Sequence, residues 1–128
     1  MGMYSFKRVT PVLWLVSMSP RKNFTHLNHG LADALGVMGE WWSPLVVWTI
    51  NGGAHRFEEI QGTLQIARNI LTDRLVTLVA AGVLERREYS VKPRRYEYHL
   101  TPMGAELIPI LSSLESWGNQ NIREAKVQ

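Results

Sequence analysis

At Gly82 the spacing of apolar residues changes, and that change limits what this chain can fold into more than any other feature. From His29 up to that point, apolar side chains recur every three or four positions, the period that lines one face of a helix. Leu31, Ala34, Leu35 and Met38 make one such segment; Trp42, Leu45, Val46, Trp48 and Ile50 make another. The two separate near Gly39, and Gly52-Gly53 stops the second. Arg56 to Leu64 sets Phe57, Ile60 and Leu64 on one face of a short helix, with a tight turn at Gln65-Ile66. Ala67 to Ala81 then carries Ile70, Leu71, Leu75, Leu78 and Val79, a long amphipathic helix that Gly82 is placed to end in a left-handed conformation. Beyond Gly82 the pattern alternates. Val83 to Tyr89 and Tyr96 to Leu100 are β-prone and flank the basic turn Ser90-Val-Lys-Pro-Arg-Arg95, which predicts a hairpin. Thr101-Pro102 opens a last helix with the stripe Leu107, Ile110, Leu111, Leu114 and Trp117, bent at Pro109 and ended by Gly118.

The 128 residues suit one domain of mainly α class, because half that length would not bury a dependable core. A 45% hydrophobic share and a 20% charged share exclude a disordered solvating chain. Residues 1–25 show neither period nor caps and read as an arm or extension; 26–120 form the domain, and 121–128 a polar tail. The longest early apolar run, Pro11 to Val16, is far below the roughly 20 residues a membrane helix needs. Lys7 and Arg8 before it imitate a secretory signal, but no small-residue cleavage site follows, so the expected compartment is the cytoplasm, on the nucleoid.

No cysteine is present, which removes disulfides, thiol nucleophiles, thiolate zinc sites and cysteine redox switches. The histidines at 26, 29, 55 and 99 lack metal spacing. No phosphate loop, nucleophile elbow or paired-carboxylate motif appears, so nothing argues for an enzyme or a cofactor.

A short helix, a tight turn, a second helix with a polar outer face and a hairpin with a basic tip make a winged helix-turn-helix. The second helix can lie in a DNA major groove only if its exposed residues reach base edges, and the wing needs cations for phosphates. Arg68, Asn69, Thr72 and Asp73 occupy the exposed side of that helix, where Arg can read guanine and Asn adenine; the bland reading of the same four is a solvated face. Lys92, Arg94 and Arg95 sit at the wing tip. Arg56 opens its helix with a charge unfavourable to the helix dipole, which hints at a phosphate contact. Arg74 either reaches phosphate or bridges to Glu58 or Glu59. The 54–100 segment holds eight basic and six acidic residues, so a protein-interaction module without DNA binding is the competing reading.

Gly39-Glu-Trp-Trp-Ser-Pro-Leu-Val-Val-Trp-Thr-Ile50, Arg56-Phe-Glu-Glu-Ile60, Leu71-Thr-Asp-Arg-Leu75, Gly82-Val-Leu-Glu-Arg86 and Tyr96-Glu-Tyr-His-Leu-Thr-Pro-Met-Gly104 follow one another in register. This succession resembles the HxlR family of bacterial transcriptional regulators over about residues 29–118. The resemblance implies a homodimer on pseudo-palindromic operator DNA, joined through its terminal helices, with Leu35, Trp42, Leu107, Ile110, Leu111, Leu114 and Trp117 at the seam. An apolar small molecule among Trp41, Trp42, Trp48 and Trp117 is the kind of effector such a seam would take, if it takes one. Three positions depart from the family pattern. His29 stands where relatives carry a Cys, Ala67 where a Ser caps the recognition helix, and Trp41 where Arg or Lys is usual, so that a phosphate contact there is lost or replaced by packing.

Overall fold

The computed structural model describes residues 25–124; the expected arm up to residue 24 and residues 125–128 lie outside them. After a single 3-10 turn at Thr25–Leu27 come α1 (Gly30–Met38), α2 (Trp42–Asn51), α3 (Phe57–Leu64) and α4 (Arg68–Ala80). A hairpin of β1 (Leu84–Val91) and β2 (Arg94–Leu100) follows, then α5 (Pro102–Ala105) and α6 (Leu107–Gly118). The winged helix-turn-helix order is the expected one.

The first three helix starts each have an identifiable side-chain cap. The His29 imidazole caps α1, its Nδ1 accepting from the Ala32 N–H at 3.2 Å. Glu40 caps α2 from outside, accepting the Ser43 N–H at 2.8 Å and the Ser43 hydroxyl at 3.0 Å. At α3, Glu59 reaches back to accept from the Arg56 and His55 amides, both at 3.1 Å. Two helices begin without a side-chain cap among the described residues, α4 at Ala67 and α6 at Glu106.

The core is built from Ser43, Val46, Val47 and Ile50 of α2, a face at i, i+3, i+4 and i+7, set against Ile60, Leu71, Leu75 and Leu78. Gln65, left-handed at φ 55, turns the chain between α3 and α4 and lets Ile66 bury. Gly82 takes φ +84 after α4, so that its N–H donates to the Val79 carbonyl and the Val83 N–H to the Leu78 carbonyl, as the apolar period predicts. Val83 and Leu84 then enter the core and carry the hairpin out of it.

The strands run longer than their alternation suggests. Leu84 pairs with Leu100, Arg86 with Tyr98, Glu88 with Tyr96 and Val91 with Arg94, with a bulge between Glu88 and Ser90. The turn therefore contains only Lys92 and Pro93, joined by a cis peptide, rather than all of 90–95.

One expectation for the last helix needs correction. Pro109 does not merely bend it: the helix is broken at Glu106, because Pro lacks the N–H that would bond back to Ala105 and its ring crowds that carbonyl. Gly118 is the last α-helical residue, as expected, and from there, at φ −64, the chain runs on into a π-helical turn, Asn119–Arg123.

Candidate nucleic-acid interface

The exposed stripe of α4 holds Arg68, Asn69, Thr72 and Asp73 as expected, while Leu71, Leu75 and Leu78 anchor the opposite face. The Thr72 hydroxyl donates to the Arg68 carbonyl at 2.9 Å, which leaves its lone pairs outward. Val76, 58% exposed, extends the stripe one turn beyond Thr72. Helical spacing from Asn69 and Thr72 marks that position; only its apolar chemistry hid it, and an apolar side chain there suits a thymine methyl.

Arg68 is held from the side of α3. Its guanidinium lies 4.6 Å from the Phe57 ring centre, 3.3 Å from Gln61 Oε1 and 3.5 Å from Glu58 Oε2. Of the two roles anticipated for Arg74, the bridge to α3 is not formed. Its Nε sits 2.8 Å from Glu40 Oε1, with the side chain largely buried, and no bridge runs to Glu58 or Glu59. Burial opposes the charge on Glu40, but Arg74 and Ser43 outweigh it and hold the carboxyl below its ordinary 4.5. Arg74 is thereby a strut between α4 and the start of α2.

Arg56 seats the wing. It pairs with Glu97 at 3.2 Å and lies over the Tyr89 ring at 4.1 Å. The Tyr98 N–H donates to the His55 carbonyl at 2.7 Å, the His55 ring stacks on His99 with centres 4.1 Å apart, and His99 reaches Glu97 at 3.0 Å. These contacts fasten β2 to the start of α3. Hydrogen bonding from His99, then from Arg56, holds the Glu97 carboxyl below its usual value. No local pattern announces this seat, because its partners lie on elements far apart in sequence.

On the wing, Arg94 pairs with Glu88 at 3.4 Å and Arg87 with Glu85. Arg86 lies over Tyr96. Lys92 and Arg95 are exposed and form no ion pair among the described residues. Five of the segment's cations, at 56, 68, 74, 87 and 94, thus lean on carboxylates of the same chain.

The anticipated seam residues divide by burial. Trp42, Leu107 and Leu111 pack against the chain's own core, because α6 must cover α2 before it can meet anything else. Leu35, Ile110, Leu114 and Trp117 stay exposed, the last three at i, i+4 and i+7 on one face of α6. The four indoles share no buried site: Trp42 and Trp48 are half-buried, Trp41 and Trp117 exposed.

A family model described as HxlR-like helix-turn-helix matches residues 37–126. The chain belongs to that family. This HxlR-like chain is 37% identical over 93 residues to an HTH-type transcriptional regulator of Mycobacterium bovis, a match covering 73% of the chain and 59% of that relative. The chain thus spans less than two thirds of that protein's length. It is 32% identical over 107 residues to the HTH-type regulator YybR of Bacillus subtilis, covering 81% of this chain and 86% of YybR. Among solved structures, the transcription factor PA1607 superposes with a TM-score of 0.72 at 34% identity, over 79% of this chain and 70% of PA1607. The redox regulator HypR in its reduced form does so at 0.68 and 29%, over 77% of this chain and 98% of HypR. Among the described residues, no helix is long and apolar enough to cross a membrane.

Proposed function

We propose that this HxlR-like chain is a sequence-specific DNA-binding transcriptional regulator of the cytoplasm, acting as a homodimer on a pseudo-palindromic operator. One observation carries the reading: a polar stripe on α4 lies open beside a hairpin whose Lys92 and Arg95 have no carboxylate partner among the described residues. Arg68 and Asn69 read guanine and adenine edges, Thr72 and Asp73 line the groove, and Lys92, Arg94 and Arg95 meet phosphates. The exposed ion pairs of Arg68 and Arg94 do not oppose this. Such pairs are worth about 0–1 kcal/mol and exchange readily for phosphate.

Leu35, Ile110, Leu114 and Trp117 form the subunit seam, which sets the spacing of the two α4 helices. A small molecule controls the regulator only if it binds two such spacings with different affinity. Thiol oxidation has no residue to act on within these 128. The self-paired cations favour a second reading, a protein-interaction module with no DNA partner. Selection from random duplexes separates the two. Enrichment of a pseudo-palindrome with half-sites about 10 base pairs apart supports the regulator, and no enrichment supports the module.

A further inference from the structure

At about 100° per residue, Asn69, Thr72, Asp73 and Val76 fall within one arc of α4 about 100° wide, with Val76 near its middle. All four are exposed, while Leu71, Leu75 and Leu78 hold the opposite face in the core. Positions i, i+3, i+4 and i+7 are those with which a helix lying in the major groove reads bases, as in homeodomains. Three of the four are polar. Val76 is not: at 58% exposure it gains little burial, and its β-branched side chain forms helix less well than the straight-chain polar residues usual on such a face. The fold gives no reason for an apolar side chain there, whereas a base edge does. Asp73, three positions before Val76, is its neighbour on the helix surface. Its carboxylate forms no ion pair among the described residues. In a groove walled by phosphates a carboxylate belongs beside a base donor, and the usual one is the cytosine N4 amino group.

We propose that Val76 reads the C5 methyl group of a pyrimidine, so that the affinity of this chain for its operator depends on that one methyl. The inference deepens the DNA-binding reading above and rests on it. Thymine and 5-methylcytosine both present the group to the major groove. Asp73 favours the second where both side chains meet one base, because cytosine carries its amino group next to C5 whereas thymine offers an acceptor, O4, in that place. Where the two side chains meet neighbouring bases, they read a cytosine beside a thymine.

The test removes or adds the methyl and nothing else. In the duplex enriched by selection, each thymine in turn is replaced by deoxyuridine and each cytosine by 5-methyldeoxycytidine. Affinity of the full chain is then measured across a salt series for wild type and Val76→Ala. Wild type should bind about fourfold more weakly per half-site at one uridine position, which assigns thymine, or about fourfold more tightly at one methylated cytosine, which assigns 5-methylcytosine. The salt slope should stay unchanged, since a methyl contact releases no counterions. Val76→Ala should bind the forms with and without that methyl alike, and because alanine is the better helix former the variant keeps its fold. A wild type that binds the duplex but ignores every such replacement would overturn the methyl reading, as would a Val76→Ala response equal to that of wild type. Failure of the wild type to enrich any duplex would instead overturn the DNA reading, and this inference with it.

Discussion

At the scale of single residues, the interface separates side chains that can read DNA from those that hold the reader in shape. Among the described residues Asn69 has no partner on its own chain and Arg68 only exchangeable ones, so Asn69→Ala or Arg68→Ala should relax base preference. The expected loss is about 1–3 kcal/mol on the preferred base pair and little on random DNA, measured by competition with single-base operator variants. Arg74, by contrast, is a strut, and its pairing makes a prediction about acid. The folded state depresses the Glu40 carboxyl below 4.5, so its contribution is complete above that value and is lost as pH falls through the lower folded-state value. Denaturant melts should show wild type more stable than Glu40→Gln at neutral pH, with the gap closing in the acid range below 4.5. A gap constant with pH would mean that the Glu40 charge contributes nothing.

The recognition helix and the wing differ in how firmly each is prepared for binding. Among the helices with tertiary roles, α4 starts at Ala67 with no side-chain acceptor for its first amides. Ala67→Ser should therefore raise stability by about 1 kcal/mol, seen as a higher Tm, and an unchanged or lower Tm would show those amides already satisfied. On the wing, Arg94 leans on Glu88 whereas Arg95 is open. Arg95→Ala should accordingly weaken specific and random binding together and flatten the salt slope by about 0.9 per lost phosphate contact. Arg94→Ala should do less, and Glu88→Gln should strengthen binding to any duplex. Equal losses from the two arginines would place the Glu88 pair outside the bound state.

For the molecule as a whole, α6 exposes Ile110, Leu114 and Trp117 along one face, and α1 exposes Leu31 and Leu35. Leu114→Glu puts a charge in the proposed seam without entering the core, so the Tm of the subunit should hold. Sedimentation at micromolar concentration should then find monomers, and operator affinity should fall to that of one half-site. A dimer that survives Leu114→Glu and Ile110→Glu together would move the seam elsewhere.

Much of this was legible in the order of residues, because backbone period and local chemistry are properties of neighbours. Apolar spacing marks α1 to α4, Gly82 supplies the left-handed turn, the alternation after it makes the wing, and Thr101-Pro102 opens α5. The exposed stripe of α4 follows from the same spacing. Period says which residues share a face, however, and not which neighbour that face meets. Leu107 and Leu111 turned inward while Ile110, Leu114 and Trp117 stayed out because α2 had to be covered first. The pairs Glu40–Arg74 and Arg56–Glu97 join elements remote in the chain, and only packing brings them within reach. Those contacts decide which arginines are tied to their own chain, since a charge is committed by what the fold places within a few ångströms of it.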